Sequence, residues 1–434
     1  MAIGLSLVLP FLATAATVSV PATASDIQDA INAASPGDVI EIAAGTVTLD
    51  PGVSIVIPNP QLGITLRGAG AGATIIERSS GGTSNPLLMI GASTSCATGA
   101  ATVIEGITFR NSGLTSGSAT SSTAAYRGIE IRSCGASPAD PAIIRDCEFL
   151  EFRDTGISIV DYPFAYWEFT GNTFDGSRLA IWINQADFVT IHRNTFRDYV
   201  VAMGFDPNDV VTDLAITENK MLGGSFDPAP ANYYGLYVSA AAMIAGESKK
   251  WDISGNEITG ATYGIRLLAP TSGGLFQSLT DVSVHDNCIY DNNVLGSGGS
   301  TTSYGVYNTS TVSLDAIDNW WGDASGPAHA SNPSGTGDVV SDLVNFSPWS
   351  TFTLPACGGA VVKPFVFLAD YVVIERSKQI PSQGDIHSNG KIDFLRGDPT
   401  AFEGNLTAVG KITIGKENTI DGYAHSAGIV SVHP

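Results

Sequence analysis

Charged residues, lysines and recognisable catalytic signatures are all scarce in this chain. Only 15% of its residues are charged, and residues 25–350 hold three lysines, Lys220, Lys249 and Lys250. No HExxH or CxxC motif, no glycine-rich phosphate loop and no nucleophile elbow occurs in the sequence. These absences argue against a zincin metalloprotease, a CxxC redox enzyme, a P-loop nucleotide-binding protein and an α/β-type serine hydrolase.

The charge that is present is mainly negative, with a formal net charge of −21. An acidic surface repels nucleic acid and anionic membranes, so neither is an expected partner. A polyanion such as a polyuronate is also disfavoured unless Ca²⁺ bridges it to the protein, whereas neutral glycans fit more easily. The sequence therefore predicts no obligatory cofactor, and Ca²⁺ is the one ion that we consider.

The abundant residues indicate an all-β fold. Hydrophobic residues make up 44% of the 434-residue chain, which excludes global disorder and leaves room for two domains. The 48 glycines occur with many Thr, Ser, Asn, Val and Ile residues, a composition typical of short strands and turns.

An apolar run opens the sequence from Met1 to Ala16. It is too short to span a bilayer, and Ala13-Thr14-Ala15 resembles a signal-peptidase site. We therefore predict a signal peptide over residues 1–15, or to residue 24 if cleavage follows Ala22-Thr23-Ala24; an ordinary buried first strand is the alternative. The signal predicts a secreted or cell-surface protein with no membrane span in the mature chain.

One amphipathic helix is expected directly after this segment. Ser25 to Gln28 has the pattern of a capping box, and Ile27, Ala30, Ile31 and Ala34 form one apolar stripe. A helix with a single apolar face, placed before a series of strand-like runs, is suited to cap an open end of a stack of strands.

A short phrase recurs through the middle of the chain at steps of 22 to 40 residues. It consists of an apolar residue, two variable residues, usually Asn, one variable residue and an apolar or aromatic residue. Two early copies carry Ile107 and Cys147 at the Asn position. The later copies carry Asn172, Asn194, Asn219, Asn256, Asn287 and Asn319. Such self-similarity with short strands is typical of a solenoid.

A second apolar stretch precedes each phrase. Alternation predicts that one residue of each stretch points inward and the next outward. The predicted inward residues are Ile129, Ile157, Ala180, Ala202, Leu236, Ile265 and Val306. Two strands per unit, stacked in parallel on those of the next unit, would make one coil. An Asn at each corner tolerates a left-handed backbone and can bond to its counterpart in the next coil, so we interpret the Asn residues as structural.

The five cysteines leave at least one thiol unpaired. Cys96 and Cys134 occupy comparable positions on successive repeats, so a disulfide between them is predicted. Cys147 is expected to be a small buried filler. Cys288 and Cys357 either pair or stay free.

Three features of the chain resemble right-handed parallel β-helix proteins of the pectate-lyase-like superfamily. They are the opening SDIQDAINAASPGDVIEIAAGTV, the ladder of Asn-x-Phe-like phrases, and the closing module from Asp318 to Trp349 with its Trp pair, Gly-Pro and Asn-Pro. The resemblance implies a right-handed parallel β-helix over residues 25–350. It also implies relatives that cleave polysaccharides, but the polygalacturonase combination of an Asp pair, Gly-His-Gly and Arg-x-Lys is absent.

The carboxy-terminal part has a different, shorter repeat. Residues 351–363 are predicted to be a linker, and residues 364–434 carry units starting at Gly384, Gly404 and Gly422. Steps of 20 and 18 residues predict a second, smaller β-solenoid, truncated or continued by another copy at its end. Its spacing resembles bactofilin-type polymerising proteins, which implies self-assembly through this domain.

Outward side chains beside the second stretch are the candidate site. Asp161 and Asp206 follow this stretch two coils apart, at about 9–10 Å, near the upper end of the separation of an inverting glycosidase pair. Nearby residues that could contact sugar are Tyr162, Trp182, Asn184, Phe205, Tyr237 and Arg266. The alternative is that the Asp and Asn residues only end strands and begin turns.

No metal site is predicted with a specific signal. His192 and His285 share a column but lie three coils apart, too far to coordinate one ion. A Ca²⁺ site from Asp206, Asp209 and Asp213 is the one arrangement to consider.

Two functions follow. The first is a secreted or cell-surface β-helix with a structural, adhesive or glycan-binding role, whose partner is a polysaccharide or surface glycan. The second is a glycoside hydrolase or polysaccharide lyase with Asp161 and Asp206 as acid and base.

Overall fold

The structure, a computed structural model, describes residues 15–78, 85–96, 101–111, 127–134, 137, 140–152, 154–160, 166–184, 187–205, 212–223, 230–239, 250–268, 281–297, 299–310, 312–357, 365–374, 385–394, 401–403, 406–414, 419–421, 424–426 and 429–432. The chain divides into two compact units, Met1–Gly359 and Ala360–Pro434.

The first unit is built from three long parallel sheets. Sheet 1 contains Thr17–Val20, Val39–Ile42, Thr65–Arg67, Val103–Glu105, Ala142–Arg145, Trp167–Thr170, Asp187–His192, Thr212–Thr217, Trp251–Ser254, Val282–His285, Leu314–Asp315 and Val344–Asn345. Sheet 2 contains Gly45–Leu49, Thr74–Arg78, Thr108–Arg110, Glu148–Leu150, Thr173–Asp175, Thr195–Arg197, Lys220–Leu222, Glu257–Thr259 and Cys288–Ile289. Sheet 3 contains Ile55–Ile57, Leu88–Cys96, Arg127–Cys134, Thr155–Ile159, Leu179–Ile183, Val201–Phe205, Tyr234–Val238, Tyr263–Leu267 and Tyr304–Asn308.

Each coil passes through sheets 1, 2 and 3 in turn, which confirms the all-β parallel β-helix. The predicted register is confirmed too, because Ile144, Phe169 and Ile191 pair along sheet 1 in adjacent strands. A coil has three strands rather than the predicted two. The reason is that the repeated phrase bends in its middle and supplies one strand to sheet 1 and another to sheet 2.

The bend lies one residue before the Asn. Arg193 and Glu218 take φ values of 55° and 56°, and Gly171 takes 66°. The Asn residues themselves keep negative φ, so their predicted left-handed backbone is wrong, and the residue before each Asn turns the corner.

The Asn side chains form the predicted ladder between coils. Asn172 donates from Nδ2 to Oδ1 of Asn194 at 3.0 Å, and the Asn172 backbone N–H donates to the same oxygen at 2.9 Å. Nδ2 of Asn172 also donates to the Ile144 carbonyl one coil earlier at 2.9 Å. The same pattern continues to Asn319. Because all six Asn residues are buried, these bonds satisfy corner groups that water cannot reach.

The core is a column of stacked apolar side chains. Phe109, Phe149, Phe174 and Phe196 project inward from sheet 2 on successive coils, with ring centroids 5.3, 4.7 and 4.9 Å apart. All four are fully buried. Stacking at the coil spacing therefore keeps these aromatic rings in contact with one another along the interior.

The helix Ala24–Ala33 covers the first coil. Ile27 and Ile31 are fully buried against that coil, and Ala30 and Ala34 pack on it, as the apolar stripe predicted. The N-cap is Thr23 rather than Ser25, because the Thr23 hydroxyl accepts the Asp26 backbone N–H at 3.2 Å. The strand Thr17–Val20 pairs with Val39–Ile42, so sheet 1 begins before residue 25, within the longer of the two predicted signal segments. Residues 1–14 lie outside the described residues.

The last coil is covered by the closing module. Trp321 is fully buried, and Trp349 packs from outside over Gly326, whose added Cβ would meet the indole at 2.4 Å. Two short strands, Pro327–Ala328 and Gly337–Val339, pair in this cap. The cap ends in a 3₁₀ turn, Pro355–Cys357, and a disulfide joins Cys357 to Cys288 with a Cα–Cα distance of 5.5 Å.

The other cysteines follow the predictions where they are described. Cys147 is a buried free thiol, and burial raises its pKa to about 12. Cys96 and Cys134 are register partners on adjacent strands of sheet 3. Their side chains lie outside the described residues, so the disulfide between them stays a prediction.

Asp338 is a half-buried carboxyl in the cap. It accepts hydrogen bonds from the backbone and side-chain nitrogens of Asn292 at 3.2 and 2.8 Å. Burial nevertheless raises the pKa of Asp338 to about 6. Because this is above the unfolded value of 3.8, the stability that Asp338 contributes is complete below that value and is lost as the pH rises through 6.

The Asp338→Asn variant is therefore expected to be more stable than the wild type at pH 7, by about 2 kcal/mol, and to lose less stability between pH 4 and 7. Thermal unfolding across this range measures the effect. Asp323→Asn is a control of opposite sign in the same cap, because hydrogen bonds from Ser325 lower the pKa of Asp323, so removing its charge should lower stability above pH 4. Parallel profiles for Asp338→Asn and wild type would contradict the assignment.

The second unit is a smaller parallel β-structure. Its strands are Phe365–Ile374, Asp385–Phe394, Ala401–Glu403, Leu406–Ala408, Ile412–Ile414, Thr419–Asp421, Ala424–Ser426 and Val430–Val432. Ile392 pairs with Ile412, and Ile412 pairs with Val430. These partners reproduce the predicted steps of 20 and 18 residues. No helix among the described residues of either unit is long and apolar enough to cross a membrane.

Candidate functional site

The outer face of sheet 3 has two columns of outward side chains three residues apart. On one coil they are Tyr234 and Tyr237, on the next Tyr263 and Arg266, and on the following one Tyr304 and Tyr307. The two residues between them point inward: Gly235 would direct a Cβ at the Ile258 side chain at 2.9 Å, and Leu236 is fully buried. Because two consecutive residues face the core, residues i and i+3 both reach the surface.

Aromatic side chains dominate this face over five coils. We call the following set the aromatic strip: Trp182, Tyr234, Tyr237, Tyr263, Tyr304 and Tyr307. The Tyr234 and Tyr263 rings stack at 5.5 Å, and those of Tyr263 and Tyr304 at 6.1 Å with an interplanar angle of 2°. All members except the buried Tyr263 are half-buried, so the strip offers ring edges and phenol groups to the solvent.

Arg266 lies within the strip and is surrounded by tyrosines. Its guanidinium carbon is 4.8 Å from the Tyr263 ring centroid and 5.4 Å from that of Tyr234, and Nη1 donates to the Tyr234 hydroxyl at 2.8 Å. Its Nε is buried and has no hydrogen-bond partner among the described groups. No carboxylate of the described residues lies within 4.0 Å of this guanidinium. The guanidinium charge of Arg266 is therefore stabilised by tyrosine ring faces and one phenol hydroxyl, and the guanidinium has N–H groups that can still donate hydrogen bonds.

Trp182 forms one end of the strip. Its Nε1 donates to Oδ1 of Asn184 at 2.8 Å, which fixes the indole on the sheet. The ring reaches over the next coil to Tyr237, with centroids 6.2 Å apart. That coil has Gly204 at the outward position, where a Cβ would lie 2.2 Å from the indole, so only glycine allows this contact.

Beyond Trp182, the same face is closed by an ionic cluster. Glu130 contacts Arg127 at 2.6 Å and Arg132 at 2.5 Å, and Arg127 also contacts Asp154 at 3.1 Å. Glu130 and the outward Ser158 are almost fully buried. The charges compensate one another here, so the open part of the face begins at Trp182.

The structure places the predicted site residues unequally. Trp182, Asn184, Tyr237 and Arg266 lie together on the open face, whereas Phe205 does not. The prediction for Phe205 is wrong, because its ring is fully buried and packs on Trp251 at 5.7 Å.

The predicted alternation is also wrong on two coils. Ala180 and Ala202 are buried, as predicted, and each occupies the position that Gly156 has in its own coil. Ile157 pairs with Ile181 in the next coil, and Ile181 pairs with Met203 in the coil after that. Ile181 and Met203 therefore point inward, although outward positions were expected.

Asp161, Tyr162 and Asp206 lie outside the described residues. Their preceding strands are described, and Ile159 pairs with Ile183, which pairs with Phe205. Along the sequence, Asp161 comes two residues after Ile159, and Asp206 comes one residue after Phe205. Their role as a catalytic pair stays a prediction.

The described residues contain no group of three or more His, Cys, Asp or Glu side chains that could hold a metal ion. Asp213, one of the three carboxylates considered for Ca²⁺, pairs with Lys250 at 3.2 Å, and Asp206 and Asp209 are not described. His192 and His285 pair with neighbouring carboxylates, Glu168 at 3.0 Å and Asp252 at 3.2 Å.

Sequence reasoning missed four members of the strip, Tyr234, Tyr263, Tyr304 and Tyr307. The signal was present as a spacing: Tyr234 and Tyr237, and Tyr304 and Tyr307, are each three residues apart around a Gly-apolar pair. An ideal strand places i and i+3 on opposite faces, so this spacing indicated no common surface.

No protein-family model and no curated protein matches the chain. Among solved structures, it is similar to the A-module of the mannuronan C-5 epimerase AlgE4 of Azotobacter vinelandii, with 12% identity, 94% of this chain and 93% of that chain covered, and a TM-score of 0.39. It is also similar to the catalytic unit of the GH87 α-1,3-glucanase of Streptomyces thermodiastaticus strain HF3-3, with 10% identity, coverage of 98% and 68%, and a TM-score of 0.36. For the PL6 family alginate lyase AlyGC, identity is 11%, coverage 96% and 75%, and the TM-score 0.24. At these values, what those proteins act on says nothing about this chain.

Proposed function

We propose that this protein binds an extended glycan along the outer face of sheet 3. The observation that carries the proposal is the aromatic strip, with Arg266 held among its tyrosines and paired with no carboxylate of the described residues. The strip follows the solenoid axis over five coils, so a linear ligand can contact successive rings.

The chemistry of the strip suits a sugar chain. Sugars present apolar C–H surfaces together with hydroxyl groups, and half-buried Tyr and Trp residues offer an apolar body with a polar tip. Burial raises the pKa of Tyr304, so its phenol stays a neutral O–H donor at pH 7. The guanidinium of Arg266 adds N–H donors in a fixed fork, which orient acceptors such as sugar oxygens.

The Trp182→Ala and Tyr237→Ala variants are each expected to bind the glycan about tenfold more weakly, because each removes an aromatic contact worth about 1–1.5 kcal/mol. Affinity electrophoresis or calorimetry against a panel of neutral and acidic polysaccharides measures this. Phe188→Ala and Phe352→Ala remove exposed rings elsewhere, at 38% and 64% exposure, and are the matched controls. The proposal fails if the wild type binds no polysaccharide, or if the strip variants bind as tightly as the two controls.

A polysaccharide hydrolase or lyase is the second candidate. It is favoured by position, because the coil that carries Trp182 lies between the two strands that Asp161 and Asp206 follow. The same panel tests it when product release is followed by reducing ends and by absorbance of unsaturated uronate. Release that is lost in Asp161→Asn and Asp206→Asn would establish the enzyme; release unchanged in both would remove these residues from the site.

Export and self-assembly belong to the same proposal. The Cys288–Cys357 disulfide supports a secreted or cell-surface location, because disulfides persist in oxidising compartments. Self-assembly is supported by the strand Val430–Val432, which pairs in parallel with Ile412–Ile414, and by the exposed side chain of Ile429 next to it. An adhesive or structural role would then follow from glycan binding by the first unit and association through the second.

A further inference from the structure

The Cys288–Cys357 disulfide joins two very different places in the first unit. Cys288 lies in a strand of sheet 2, is fully buried, and donates its N–H to the Asn256 carbonyl at 2.8 Å, next to the Asn ladder. Cys357 is the last described residue of the cap, and the second unit begins at Ala360. The bond therefore connects the start of the link between the two units directly to the core of a coil.

Little else holds the end of the cap. Among the described residues 350–357, the hydrogen bond from the Ser350 N–H to the Asn319 carbonyl at 3.0 Å reaches back to the coils. The Cys357 N–H bonds only locally, to Leu354 at 3.0 Å, and Phe352 is 64% exposed. Leu354 is buried at 8% exposure. Without the disulfide, the Ser350 hydrogen bond, the burial of Leu354 and a 3.9 Å contact between the Leu354 carbonyl oxygen and Sγ of Cys288 would retain this end.

The one free thiol among the described side chains, that of Cys147, does not compete for the bond. Cys147 is buried, and its pKa is raised to about 12 by burial, so it supplies almost no thiolate for exchange. Cys147 therefore does not attack the Cys288–Cys357 disulfide and does not reshuffle it.

From these observations we propose that the disulfide is a force-transmitting clip. Tension applied to the chain beyond Cys357 passes through the sulfur bridge to the coil at Cys288 and bypasses the cap that lies between them. When the bridge is opened, the tension acts on the cap instead. The cap then unfolds from its weakly held end, residues 350–357, before the coils unfold. Reduction would thereby convert a mechanically closed β-helix end into one that opens under load.

The test is single-molecule force spectroscopy on the full chain with handles at both termini. All proteins carry Cys96→Ala and Cys134→Ala, so that the pair predicted there cannot contribute. The variant Cys357→Ser is compared with the bridged protein, because Cys357 is half-exposed and its change leaves the core residue Cys288 in place. Adding a phosphine reductant to the folded bridged protein gives the same comparison without a further substitution.

The expected result is an additional contour length in the unbridged protein. The sequence separation of 69, at roughly 3.5 Å per extended residue, gives about 240 Å. The part that belongs to the cap, from Asp318 to Cys357, is about 140 Å for a separation of 39 residues and should appear as an early event at lower force, before the coils unfold. The rest includes the coil strands Tyr304–Asn308 and Leu314–Asp315 and should appear later, with the coils. The proposal is overturned if bridged and unbridged proteins reach the same final length, or if the extra length appears only together with unfolding of the coils.

Discussion

Replacing Asn256 with alanine is expected to lower the free energy of unfolding by about 4 kcal/mol, because several buried groups lose their partners at once and each costs about 1–3 kcal/mol. Oδ1 of Asn256 accepts both the backbone N–H and Nδ2 of Asn219, at 2.9 and 3.0 Å. Its Nδ2 donates to the Ile216 carbonyl at 2.7 Å and to Asn287 at 2.9 Å. Since Asn256 is fully buried, water cannot replace these bonds.

Urea unfolding followed by tryptophan fluorescence measures the loss, and the buried Trp251 reports on the same coil. Hydrogen exchange adds a local measure: the Asn219 amide should lose protection while amides in the first coils keep theirs. The matched control is Asn345→Ala, because Asn345 is exposed and makes a single 3.2 Å hydrogen bond to Asp315. Equal unfolding midpoints for the two variants would show that the ladder adds nothing to stability.

The Asn ladder and the coil register were predictable because both follow from a spacing in the sequence. A buried corner residue must satisfy its polar groups at every coil, so the same residue type recurs wherever the coil does. The Asn position has an informative exception in Cys147, whose backbone N–H donates to Oδ1 of Asn172 at 3.0 Å. The ladder of Asn side chains therefore ends at Asn172, which accepts the backbone N–H of Cys147 in the preceding coil.

The outer face of sheet 3 was harder to predict because its alternation is broken. On each coil the chain places two consecutive residues inward, such as Gly264 and Ile265, so the outward residues are Tyr263 and Arg266. Where Ala replaces that Gly, at positions 180 and 202, simple alternation correctly placed the Ala inside but wrongly placed the next residue, Ile181 or Met203, outside. Strict alternation of inward and outward residues cannot predict where two consecutive residues point inward. The pairing register between neighbouring coils does show it.

The second large effect is expected in the core. Phe174→Ala should lower the free energy of unfolding by about 4 kcal/mol, within the range for deleting a buried aromatic ring. The Phe174 ring is 1% exposed and stacks between Phe149 at 4.7 Å and Phe196 at 4.9 Å. Its edge also fills the space beside Gly156, whose added Cβ would be 3.1 Å from the ring. Rigid coils on both sides limit collapse, so a cavity should remain.

That cavity gives the prediction a specific measurement. An apolar cavity of this kind stays dry and can bind benzene, so benzene should raise the unfolding temperature of Phe174→Ala and leave the wild type unchanged. Phe174→Leu should cost less than the alanine change, because it keeps most of the volume. Phe352→Ala, which removes a ring that is 64% exposed, is the surface control. If Phe174→Ala is no less stable than that control, the stacked phenylalanine column does not stabilise the coils.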